Sequence, residues 1–238
     1  MGANMTELVY LNNQSLLHYT SVVTATGDDD KNFYIVLDKT IMYPQGGGQP
    51  ADHGQMIIND QIFIINDVRY VNGQVKHYTK NDIQNISISA EAKVIVDEDR
   101  RILNTKYHTA GHLISHIVES RYQNLKAVKG HQFPNEAYIE FIGMEDINID
   151  EINHQIKFLT DSGGIVETKE LNVEKGHSIL ECLPYELPEN KKLRICKIAD
   201  YFPVPCGGTH VDNLVMLRKT AVTKFKSKNG RTKVSYSL

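Results

Sequence analysis

Apolar and polar positions alternate in short runs over the first ninety residues. "YTSVVTATG" and "NFYIVLDKT" are β-branched and aromatic stretches joined by the acidic turn Gly27-Asp28-Asp29-Asp30. That pattern predicts paired strands. "GQMIIND", "QIFIINDVRYV" and "GQVKHYT" follow, punctuated by Asn59-Asp60 and Asn72-Gly73. Asn-Gly is a strong tight-turn signal, and short strands at this spacing predict a small barrel or sandwich.

The period changes near Asp97. Leu103, Tyr107, Ala110, Ile114 and Ile117 recur at helical spacing. Acidic residues crowd the start, where the helix dipole favours negative charge, so one helix is predicted from Glu98 to Tyr122. A strand pair around "AYIEFIG" is expected next, then a helix from Asp150 to Thr160 ended by Gly163-Gly164. "GIVETKEL", "KKLRICKIA", "MLRKTAVTKFK" and "RTKVSYSL" read as further strands, the last two turned by Asn229-Gly230. The mixture lacks regular βαβ alternation, which indicates an α+β chain. We place a β-barrel domain at 1–90 and an α+β domain at 91–238.

Composition narrows the classes without naming one. The 238 residues can bury at least one substantial core, and the net charge of -3 gives no global case for a nucleic acid. No apolar run approaches the roughly 20 residues that span a bilayer, and the N-terminus lacks a secretion-signal pattern. Cys182, Cys196 and Cys206 are an odd set without disulfide-like spacing, so a cytoplasmic protein without a membrane partner is expected.

Two motifs can carry chemistry. "PVPCGGTH" sets Cys206 four residues before His210, and "HTAGH" sets His108 four before His112. On a helix the latter pair projects from one face, about 6 Å apart along the axis. Two imidazoles, a thiolate and a third imidazole can complete a tetrahedral zinc site. A zincin would need Glu directly after the first histidine, and that position is Thr109. His116 lies about 12 Å from His108 along the helix, too far to share the ion with both.

"RRILNTKYHTAGHLISHIV" and "ADYFPVPCGGTHVDNL" together resemble the editing domain of alanyl-tRNA synthetase and its free-standing AlaX relatives. "YPQGGGQPADHG" is similar to the segment that precedes this domain in the longer members. The resemblance implies one zinc per chain on His108, His112, Cys206 and His210. It implies a trans-acting deacylase that hydrolyses the ester of serine or glycine mischarged on alanine tRNA. Charged tRNA is then the partner, and DNA is not. The alternative is a non-catalytic tRNA-binding or regulatory protein holding a structural zinc. Thr109, His131 and Gln132 are the candidate catalytic helpers, with Thr109 expected to contact a serine hydroxyl or orient water.

Two stretches keep two readings each. Gly46-Gly47-Gly48-Gln49 either approaches an RNA end or serves a structural or interdomain role, the latter preferred. After Asp212 the chain has no acidic residue, and Lys224, Lys226, Lys228 and Arg231 either contact tRNA phosphates or blunt a strand edge.

Overall fold

The computed structural model describes residues 5–172 and 192–238; Cys182 lies outside them. The chain divides into two compact units, Met1–Gly46 with Pro50–Asn104, and Gly47–Gln49 with Thr105–Leu238.

The first unit contains β1 (Glu7–Leu8), β2 (His18–Asp28), β3 (Phe33–Leu37), β4 (Lys39–Thr40), β5 (Gly54–Ile58), β6 (Gln61–Val71), β7 (Gln74–Thr79) and β8 (Glu91–Val96). Six of these close a barrel in the order β2-β3-β7-β6-β5-β8, every pair antiparallel. The closing strand β8 lies past residue 90, because Ala92, Val94 and Val96 alternate inward and complete the barrel core. Asn59, Asp60, Asn72 and Gly73 all have positive φ, as the two-residue turns β5–β6 and β6–β7 demand. Closure removes the free edges that open sheets expose.

Helix α1 (Glu98–Arg121) begins in the first unit and continues into the second. Its first two turns depart from the predicted apolar stripe: Leu103 is exposed, whereas Arg101 is buried. The Arg101 guanidinium donates to the Asp52 carboxylate and to the carbonyls of Gln14 and Ile41, so a satisfied ion pair holds this turn. Further along, Tyr107, Ala110, Leu113, Ile114, Ile117 and Val118 enter the core of the second unit.

That unit adds β9 (Lys126–His131), β10 (Tyr138–Ile142), α2 (Ile149–Ser162), β11 (Val166–Asn172), β12 (Lys192–Ile198), β13 (Val204–Pro205), β14 (Ala221–Lys228) and β15 (Arg231–Ser237). The strands form an antiparallel sheet β14-β15-β10-β9 and a second sheet β11-β12-β13. Asn148 caps α2 by accepting from the Glu151 N–H, and Gly163 ends it at φ 74°. The stretch expected to be strand from Met216 begins as a 3-10 turn, Leu214–Leu217, capped by the Asn213 side chain; β14 starts only at Ala221. No helix among the described residues is long and apolar enough to cross a membrane.

Candidate metal centre

The helical face of α1 presents His108 and His112, and the loop after β13 presents Cys206 and His210. One ligand atom from each of the four lies within 4.8 Å of the others. His108 Nε2 is 3.0 Å from Cys206 Sγ and 3.2 Å from His112 Nε2, and His210 Nε2 is 3.2 Å from the same sulfur. Three imidazole nitrogens and one sulfur aimed at a common point are the donor set of a tetrahedral soft-metal site, so this group could hold a metal ion. His108 and His210 are buried, while His112 and Cys206 keep partial exposure.

Local contacts hold the loop in this shape. Arg194 Nη1 donates to the carbonyls of Cys206 and Gly208 at 2.8 Å each, and the Cys206 N–H donates back to the Arg194 carbonyl. A Cβ at Gly208 would lie 2.4 Å from His108 Nε2, whereas one at Gly207 would meet nothing within 4 Å. Only the second glycine of the pair is required by space. Gln49 holds the loop from another direction: its Nε2 donates to Thr209 Oγ1 at 2.9 Å, and its Oε1 accepts from the Thr209 N–H at 3.0 Å. Thr105, on α1, adds a 2.6 Å hydroxyl contact to Thr209. The Gly-Gly-Gln stretch thus has a structural job within the second unit, bracing the residue beside a candidate ligand.

Burial governs the ionisation of the four. It pushes the His108 imidazole down to about 4, opposed by the Gln132 side chain and aided by Arg194. His112 and His210 are pushed well below the usual histidine range by burial and then by the neighbouring histidines. The rings are thus neutral near pH 7, as metal ligation requires. Burial raises the Cys206 thiol to about 11, against the Gly208 N–H and the Arg194 charge, so metal binding would displace its proton.

The three expected helpers go to three places. Thr109 is fully buried and its hydroxyl is committed: it donates to the Thr105 carbonyl, accepts from the Val211 N–H, and lies 3.2 Å from His210 Nδ1. One donor and two acceptor positions are the whole capacity of a hydroxyl, which leaves nothing for a substrate. His131 is the last residue of β9, and Gln132 follows the strand. His131 stacks on Phe133 and Tyr138 and pairs with Glu136, away from the cluster. Gln132 is buried and acts on the His108 ring. His116 does not join the four; it stacks on Tyr201 with centroids 5.1 Å apart. Arg194 and Thr209 escaped sequence reading, although Thr209 stands inside the CGGTH motif.

The basic residues share one sheet face. Lys224 is opposite Ser235, Lys226 opposite Lys233 and Lys228 opposite Arg231. The rows continue through Tyr138, Glu140 and Ile142 of β10 to β9, where Lys129 faces Glu140. Lys233 Nζ lies 3.4 Å from the Tyr138 ring centroid, and Arg231 is paired with Glu140.

The model of the class II (A) tRNA synthetases matches residues 10–100. "Alanyl-tRNA editing protein AlaX-L" of Pyrococcus horikoshii is 30% identical over 94% of this chain, which spans 56% of that relative's length. "Alanyl-tRNA editing protein AlaX-M" of Methanosarcina barkeri is 27% identical over 98% of both chains. "Alanine--tRNA ligase" of Haloquadratum walsbyi is 29% identical over 87% of this chain and 22% of the ligase. Matched over nearly its whole length, the chain is similar to the AlaX type of alanyl-tRNA editing proteins and to one segment of alanine–tRNA ligase.

Proposed function

We propose that the protein is a zinc-dependent deacylase acting in trans on serine- or glycine-charged alanine tRNA. The observation that carries the reading is the convergence of His108, His112, Cys206 and His210 in a chain similar to alanyl-tRNA editing proteins. In this reading the unit Met1–Gly46 with Pro50–Asn104 is the barrel domain, and the unit Gly47–Gln49 with Thr105–Leu238 carries the editing chemistry, in the cytoplasm.

A zinc ion bound there supplies Lewis-acid polarisation to an ester carbonyl. The chain's own part is positional. Gly208 leaves the space beside His108, Arg194 and Gln49 fix the loop, and the exposed side of His112 and Cys206 is where an aminoacyl ester can approach. An aminoacyl ester is already activated, so an oriented substrate needs little further covalent help. Thr109 and Gln132 serve as supports of the ligands, and His131 as part of the outer face.

The tRNA would lie along the basic sheet face. Lys226 opposite Lys233 places like charges together, an arrangement that destabilises a sheet by up to about 1 kcal/mol. A polyanion relieves that repulsion, and phosphates meet Lys224, Lys226 and Lys228 in one row along β14. Arg231 would contribute only after leaving Glu140.

One observation favours the rival, a tRNA-binding protein with a structural ion: four protein ligands can fill a tetrahedron completely. Cys206→Ala separates the two. The deacylase reading expects zinc content and deacylation to fall together, with Cys196→Ala retaining both; an unchanged zinc content and rate in Cys206→Ala would overturn it.

A further inference from the structure

Among the described residues, six buried side-chain nitrogen or oxygen atoms lack a hydrogen-bond partner, and two of them belong to neighbours: His108 Nδ1 and Gln132 Oε1. Unpaired buried polar atoms are costly, so a complementary pair is informative. His108 turns Nε2 toward Cys206 and His112, which leaves Nδ1 on the far side of the ring. A ring that binds metal through Nε2 carries its proton on Nδ1 and needs an acceptor there. An amide oxygen is an acceptor and nothing else.

The packing around Gln132 has one purpose in view. A Cβ at Gly48 would lie 2.2 Å from Gln132 Oε1, one at Gly130 would lie 2.1 Å from its Nε2, and one at Gly111 would lie 3.2 Å from that nitrogen. Gly111 follows His108 by three residues on α1, on the neighbouring turn of the same helix. The Gln132 N–H is also fixed, donating to the Gly48 carbonyl at 2.9 Å. Three glycines from three parts of the chain therefore leave room for one amide head. The Gln132 side chain is the group that opposes the effect of burial on the His108 ring.

We infer that Gln132 is a positioning residue for the metal centre: its Oε1 accepts from His108 Nδ1–H, fixing the tautomer that aims Nε2 at the ion. The inference rests on the zinc reading of the cluster. A side chain at position 111 would crowd both the Tyr236 hydroxyl, 2.9 Å from a Cβ there, and the Gln132 amide.

The test measures zinc affinity by chelator competition in the full-length wild type and in Gln132→Met and Gln132→Glu, each first checked by circular dichroism. Removing such an outer partner typically weakens metal binding about 10–100-fold. Gln132→Met, which fills the space without an acceptor, is expected to lose that factor. Gln132→Glu, a stronger acceptor, is expected to bind at least as tightly as wild type. A packing role predicts the opposite order, since Met would be tolerated and a buried carboxylate would not. Should either variant fail to fold, nitrogen-15 spectra of zinc-loaded wild type decide: His108 protonated at Nδ1 and metal-bound at Nε2 supports the inference, and the reverse overturns it. Wild type that binds no zinc would instead sink the metal reading.

Discussion

The Thr109 hydroxyl lies 3.2 Å from His210 Nδ1 while the Nε2 of the same ring lies 3.2 Å from Cys206 Sγ. Because that hydroxyl donates to the Thr105 carbonyl, it can only accept a hydrogen bond from Nδ1–H, which leaves Nε2 free for a metal. Thr109→Val is expected to weaken zinc binding about tenfold or more and to lower deacylation of serine- and glycine-charged tRNA equally at limiting zinc. Thr109→Ser should retain both. Normal zinc affinity with selective loss on serine-charged tRNA would put the hydroxyl against the substrate instead.

The two glycines of CGGTH differ in what surrounds them. Gly208→Ala places a methyl group 2.4 Å from His108 Nε2, so zinc retention after dialysis should be lost. Gly207→Ala has open space and should keep its metal. Equal retention in the two would mean the loop is not held as described.

Neutralising Lys224, Lys226 and Lys228 together should raise KM for charged tRNA. It should also make the plot of log affinity against log salt shallower by about 2 to 3, since three fewer counterions are released. A wild-type slope in the triple variant would show that RNA docks on another surface.

The barrel carries a separate pH dependence. His77 is buried, with Nδ1 3.0 Å from the Ile35 carbonyl and Nε2 2.8 Å from the Thr40 hydroxyl. Burial holds its pKa at about 4, below the ordinary 6.5, so the unfolded chain binds the extra proton between those values. Its stabilisation is full above pH 6.5 and falls as pH drops toward 4, at up to about 1.4 kcal/mol per pH unit. In denaturant unfolding His77→Gln should be less stable than wild type at pH 7, with the gap narrowing by pH 4.5. A gap that does not change with pH would contradict the buried neutral ring.

The sequence carried the elements whose signal is local. Asn72-Gly73 and Asn229-Gly230 have the positive φ their turns require, and α1 runs from Glu98 to Arg121 against a predicted end at Tyr122. The four candidate ligands were legible because HxxxH and CxxxH each fix a spacing on one element. Leu103 was misleading because periodicity cannot register that Arg101 finds Asp52 across the barrel unit. The partners of Thr109 and Gln49 were hidden for a related reason: each reaches Thr209–Val211 across more than a hundred residues, and no local pattern encodes such a meeting. His131 and Gln132 adjoin in sequence, yet one stacks on Phe133 and Tyr138 and the other packs beside Gly48 and Gly130, which no local pattern announces.

Hydrolysis of mischarged alanine tRNA at the metal centre is the proposed activity. The most direct measurement is the rate of amino-acid release from serine-, glycine- and alanine-charged alanine tRNA by protein of known zinc content. About one zinc per chain, release of serine or glycine, and sparing of alanine are expected. Protein with one zinc per chain that releases none of the three above the uncatalysed rate would contradict it.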